Sequence, residues 1–157
     1  MISFATEQTI ERSAEDVWSY AADIVRHPEW MGVTTSQVVD GEATEVGAQA
    51  VERLKLGPRS VDVRFEVSGS VAGQRIAWRS AEGSPLAFDV ALDLEALAPL
   101  RTRAVWSGSI GLTGLLRLVE PLMASEIRSG EAAELARLKA NLEAMPIEPE
   151  ADQVTFT

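Results

Sequence analysis

Residues 2–10, from Ile2 to Ile10, alternate in polarity and are rich in β-formers, which predicts a first strand. The run Glu11-Arg12-Ser13-Ala14-Glu15-Asp16 then reads as a helix start. Ser13 can cap the backbone, Glu15 and Asp16 suit the positive end of the helix dipole, and Val17, Trp18, Ala21 and Ala22 can form an apolar face. A second short helix is expected from Asp23 to His27, ended by Pro28, because the residue before a proline is pushed out of the helical region.

From Val33 to Ser109 the pattern has period two. The clearest strand is 61–67, with Val61, Val63, Phe65 and Val67 on one face and Asp62, Arg64 and Glu66 on the other. Residues 86–94, 75–79 and 102–106 repeat the theme, and two earlier strands are expected near 33–40 and 48–56. Gly57-Pro58, Ala72-Gly73, Gly83-Ser84-Pro85 and Ala98-Pro99 supply turns at hairpin spacing. One apolar and one charged face is the pattern of an antiparallel sheet wet on one side. Helical spacing returns over 113–145, with stripes at Leu116, Val119, Met123 and Ile127 and at Leu135, Leu138, Leu142 and Met145. Pro121 and Gly130 are the expected bends, and 147–157, with Pro149 and the acids Glu148, Glu150 and Asp152, is read as a flexible tail after a domain spanning 1–146. The fold class is therefore α+β, in which one long helix must cover a sheet of about seven strands. A twisted sheet wrapped on one helix leaves room for a guest.

Composition narrows the options. Hydrophobic residues at 46% argue against disorder, and no apolar run reaches the roughly 20 residues of a membrane-spanning helix. Met1-Ile2-Ser3-Phe4-Ala5 has no basic region and no long apolar run, so a secretory signal is not expected; the absence of cysteine excludes disulfides and thiolate chemistry, and a cytoplasmic location is expected. The net charge of −10, with no cluster of Lys and Arg, disfavours nucleic acid and anionic membrane as partners. The oligomeric state is left as monomer or homodimer.

The stretch Ile10-Glu11-Arg12-Ser13-Ala14-Glu15-Asp16-Val17-Trp18, followed by Asp23 to Trp30, Val46-Gly47-Ala48 and Leu135 to Leu142, resembles the START-like, Bet v 1-like (SRPBCC) superfamily. The resemblance runs over residues 2–145 and points to the polyketide cyclase/dehydrase-type proteins of bacteria. It implies a helix-grip fold: a curved seven-stranded antiparallel sheet around a long C-terminal helix, with two short helices after the first strand. It also implies a cavity for a lipid, an isoprenoid or an aromatic polyketide. The same superfamily includes lipid carriers, aromatase/cyclases and co-chaperones, so a polyketide cyclase or dehydrase and a protein-interaction module stand as alternatives to a binding protein.

The expected cavity residues are Trp30, Met31, Glu52, Leu54, Val63, Phe65, Trp78, Phe88, Val90, Trp106, Met123 and Ile127. The alternation that turns Val63 and Phe65 inward does the same for Trp78, Phe88, Val90 and Trp106; these side chains either line a cavity or fill the interior. Glu52 shares a face with Ala50, Leu54 and Leu56, where a carboxylate must be paired, hydrogen-bonded or protonated. It is the one candidate for a ligand anchor or a general acid or base, unless a bulge turns it to solvent or Arg53 or Arg103 pairs with it. His27, the only histidine, is read as a cation at a helix C-terminus, with a role as acid or base beside the cavity as the alternative. Arg75 with Arg79, and Arg101 with Arg103, belong to cross-strand ion pairs on the wet face. Gly108, Gly111 and Gly114 lack the Lys-Ser/Thr of a phosphate loop, and Glu131 with Glu134 lacks histidine partners for a metal. No cofactor, metal or nucleophile-base set is expected.

Overall fold

The alternating segments become the strands of one sheet, and its two edges decide where everything else lies. The computed structural model describes residues 1–147. In chain order these are β1 (Ile2–Ile10), α1 (Ala14–Ala22), a 3-10 turn (Ile24–Arg26), α2 (His27–Trp30), β2 (Thr35–Asp40), β3 (Gln49–Leu56), β4 (Arg59–Val71), β5 (Arg75–Ser80), β6 (Leu86–Ala98), β7 (Arg101–Leu112), two more 3-10 turns (Gly114–Leu118 and Glu120–Met123) and α3 (Ala124–Ala144). The seven strands run β1-β7-β6-β5-β4-β3-β2, each pair antiparallel. The first strand pairs with the last, so α1 and α2 carry the chain from one edge of the sheet to the other.

Ser13 caps α1 as its sequence implies, its Oγ accepting from the Asp16 amide at 3.1 Å. Val17, Ala21 and Ala22 are fully buried, while Trp18 is half-buried and donates its Nε1–H to the Arg75 carbonyl at 2.9 Å. The next segment differs from expectation. Residues 24–26 form a 3-10 turn, and Pro28 opens α2 instead of ending a helix. A proline fits the first helical turn because its missing N–H has no intrahelical partner there.

The C-terminal part is also divided differently. Helical spacing suggested one element over 113–145, yet α3 begins only at Ala124. Leu116 and Val119 lie on the 3-10 connection and are exposed, as are Leu115, Leu118 and Leu122, so the first predicted stripe does not face the sheet above Met123. Pro121 sits in the first turn of the second 3-10 segment, where it cannot donate to a preceding helical turn. Gly130 introduces no break, because α3 is continuous through it. The second stripe behaves as expected: Leu135, Leu138 and Leu142 are buried in one cluster with Phe4, Ile10, Val17 and Trp106. The proposed tail lies outside the described residues except for Ile147.

α3 packs chiefly on β1, with lesser contact to α2 and β7. One helix about 10 Å across cannot cover seven strands. Space therefore remains between α3 and the inward faces of β3 to β6.

Candidate functional site

That space is a cavity of about 250 Å³. Alternation along each strand supplies its walls: Glu52, Leu54 and Leu56 from β3, Phe65 from β4, Trp78 from β5, Leu86, Phe88 and Val90 from β6, and Trp106, Ile110 and Leu112 from β7. His27, Met31, Gly32 and Val33 close one side, and Met123, Ile127, Gly130, Glu131 and Glu134 close the helix side. Trp78, Phe88, Trp106 and Met123 line the space instead of filling it. Of the expected set, Trp30 and Val63 are fully buried but stand off the wall, Trp30 packing edge-on against Trp106 with ring centroids 5.7 Å apart.

Glu52 is inward and 6% exposed. The β3–β4 register is unbroken along its length, so no bulge turns Glu52 outward, and Arg53 and Arg103 pair elsewhere, with Asp62 and Glu7. Its partner is His27. Nδ1 of His27 lies 3.2 Å from Oε2 of Glu52, and Ser36 Oγ donates to the same oxygen at 3.4 Å. Nε2 of His27 lies 3.2 Å from the Ala21 carbonyl, which can only accept, so Nε2 is the nitrogen that donates there and Nδ1 is the one that faces Glu52. His27 is 1% exposed and begins α2, so its reading as a cation at a helix C-terminus is corrected: burial against Trp78, with ring centroids 4.8 Å apart, holds it as the inner partner of Glu52.

A second polar group comes from α3. Glu131 accepts from Trp106 Nε1–H at 2.8 Å, and Glu134 accepts from the Gly32 amide at 2.8 Å. Burial pushes the Glu134 carboxyl up to about 9, reinforced by the charges of Glu131 and Glu52 against the pull of the Gly32 hydrogen bond. Burial also raises Glu131, opposed by its hydrogen bonds to Trp106 and Glu134. The pair thus keeps a proton near neutral pH, so Glu134 can donate as well as accept.

Sequence reasoning considered Glu131 and Glu134 only as metal ligands and passed over them as cavity residues. The signal was present: Glu131 extends the stripe of Leu135, Leu138 and Leu142 by one turn, which turns its carboxyl inward. Leu56, Leu86, Ile110 and Leu112 follow from the same alternation carried further along their strands. The outer-face charges pair as expected, Arg79 with Glu66, Arg75 with Asp93 and Arg101 with Glu11, all well exposed and each worth little. Among the described residues, no three His, Cys, Asp or Glu side chains gather closely enough to hold a metal ion, and no helix is long and apolar enough to cross a membrane.

Comparison with known proteins places this geometry in context. Residues 1–143 match the family described as polyketide cyclase / dehydrase and lipid transport. A START superfamily protein from Mycobacterium smegmatis superposes with a TM-score of 0.76 at 12% identity, covering 91% of this chain and 98% of its own. A protein from Thermus thermophilus gives 0.74 at 18% identity, covering 90% and 97%. The Zhui aromatase/cyclase from a Streptomyces species gives 0.73 at 12% identity, covering 90% and 93%. At such identities the likeness establishes the fold. No curated protein sequence matches the chain.

Proposed function

Because the chain belongs to the polyketide cyclase/dehydrase and lipid transport family, we propose that it binds an apolar small molecule, such as a lipid, an isoprenoid or an aromatic polyketide, between the sheet and α3. The observation that carries this reading is the cavity of about 250 Å³ with Phe65, Trp78, Phe88, Trp106, Ile127 and aliphatic side chains on its walls. Burying a ligand's apolar surface there contributes roughly 25 cal/mol for each Å² removed from water. The aromatic wall residues Phe65, Trp78, Phe88 and Trp106 belong to strands of one continuous sheet, so little ordering of them is required on binding. Intact-mass measurement under native conditions after gentle purification, followed by titration with a neutral two-ring aromatic, tests the reading. Absence of both a copurified mass and saturable binding overturns it.

The polar groups favour a second reading, a cyclase or dehydrase acting on the bound guest. In a dehydration, the His27–Glu52 pair would take a proton from carbon, a carbon–carbon double bond would form, and the carbon–oxygen bond would break. Glu134 would hand its proton to the departing hydroxyl, which leaves as water. Such a division of labour needs a group that holds a proton near neutral pH, and the buried Glu134 carboxyl, pushed up to about 9, is one. Undiminished turnover of a polyketide by Glu52→Gln removes this role.

A further inference from the structure

The proposed cavity is uneven in its charge. Glu52, Glu131 and Glu134 reach its wall, and none of its lining residues is Lys or Arg. The one other titratable group on the wall, His27, is committed to Glu52 and the Ala21 carbonyl. A guest with a carboxylate or phosphate would enter a low-dielectric space facing three acidic side chains with no cation to answer it, an arrangement that rejects anions. A protonated amine meets the opposite situation. Beside the hydrogen bond they share, Glu131 and Glu134 each accept one more, from Trp106 and from Gly32, and each carboxyl keeps further lone pairs for a donor. A positive charge between them can take the place of the proton they share and let both ionise.

We propose that the cavity selects a hydrophobic amine, its protonated nitrogen held by Glu131 and Glu134 and its apolar body lying against Trp78, Phe88 and Ile127. The inference rests on the binding reading above and assigns the class of guest. Conversion of the shared-proton pair to two carboxylates around the ammonium makes binding release a proton, since the raised Glu134 pKa keeps that proton in place beforehand.

The test is calorimetric titration of the full chain near neutral pH with three molecules of one shape: 1-naphthylmethylamine, 1-naphthalenemethanol and 1-naphthoic acid. The amine is expected to bind about tenfold or more tightly than the alcohol, a difference one charge-assisted hydrogen bond can supply, and the acid is expected not to bind. Buffers of different ionisation enthalpy should reveal proton release with the amine and not with the alcohol. In E131Q/E134Q, whose amides still accept from Trp106 and Gly32, the amine should lose its advantage while the alcohol binds as before. An alcohol that equals the amine in the native protein, an acid that binds best, or a preference unchanged in E131Q/E134Q overturns the assignment. If that variant does not fold, the ranking in the native protein decides alone. Failure of all three to bind overturns the cavity reading and the amine assignment with it, a result distinct from binding in the wrong order.

Discussion

His27 Nδ1 and Glu52 Oε2 lie 3.2 Å apart although 25 positions separate them in the chain. One residue opens α2 and the other sits mid-strand in β3, and both are buried. Removing either leaves the other unsatisfied in a low-dielectric surrounding, which costs about 1–3 kcal/mol. Glu52→Ala and His27→Ala should each lower the urea unfolding free energy by that amount. The double variant should lose less than the sum, because the shared contact is lost only once. Strict additivity would show that the two side chains are not coupled.

Stability should fall as pH rises through neutrality. The Glu134 carboxyl is held near 9 in the folded chain against an ordinary 4.5. Between those values the unfolded chain releases the proton and the folded chain keeps it, so ionisation favours unfolding progressively and levels off above about 9. Glu134→Gln should flatten this slope and raise the urea midpoint most at alkaline pH. A midpoint that moves in parallel with the native protein across the range contradicts the assignment.

Gly108, on β7 opposite Val90 of β6, has φ of +151°, and a Cβ placed there would come within 2.2 Å of the Asp89 carbonyl oxygen and 2.7 Å of the Val90 Cα. Both obstacles are backbone and cannot swing away. Gly108→Ala should therefore cost about 3 kcal/mol or abolish folding. Thermal unfolding followed by circular dichroism checks this, and an unchanged midpoint would show that the strand shifts freely.

Trp78 contributes to the cavity wall and to the ring cluster with His27 and Trp106. Trp78→Ala should destabilise the fold by about 3–5 kcal/mol through lost packing. Trp78→Phe should keep most of the stability while removing the unpartnered N–H. Urea titration checks both values, and a loss for Trp78→Phe as large as that for Trp78→Ala would contradict the packing account.

The exposed leucines are a contrast. Leu118 is 80% exposed on the 3-10 connection, so Leu118→Ser should change unfolding free energy by no more than about 0.5 kcal/mol. A larger loss, measured by urea titration, would mean that this segment is buried in solution.

How much of this could be read from residues alone is clear from particular elements. The alternation of Val61, Val63, Phe65 and Val67 and of Leu86, Phe88 and Val90 gave strands and inward faces, because a strand's side chains change sides at every step. The resemblance added the curvature of a seven-stranded antiparallel sheet and the helix that it grips, and the strand order came from the structure. Helix boundaries near Pro28 and Pro121 were misjudged. A proline marks a helix start as readily as a helix end, and only the surrounding packing selects between them.

The sequence by itself determined the pleated face, the capped first helix, the buried leucine stripe of α3 and the inward turn of Glu52, because each depends on neighbours a few residues apart. Tertiary structure decided that His27 meets Glu52, that Glu131 and Glu134 share the same cavity and that Trp30 and Val63 stand off its wall. Those relations join α2, β3, β7 and α3 across the width of the sheet, and the distance between elements depends on how far one helix can settle onto seven curved strands. No local pattern encodes that distance.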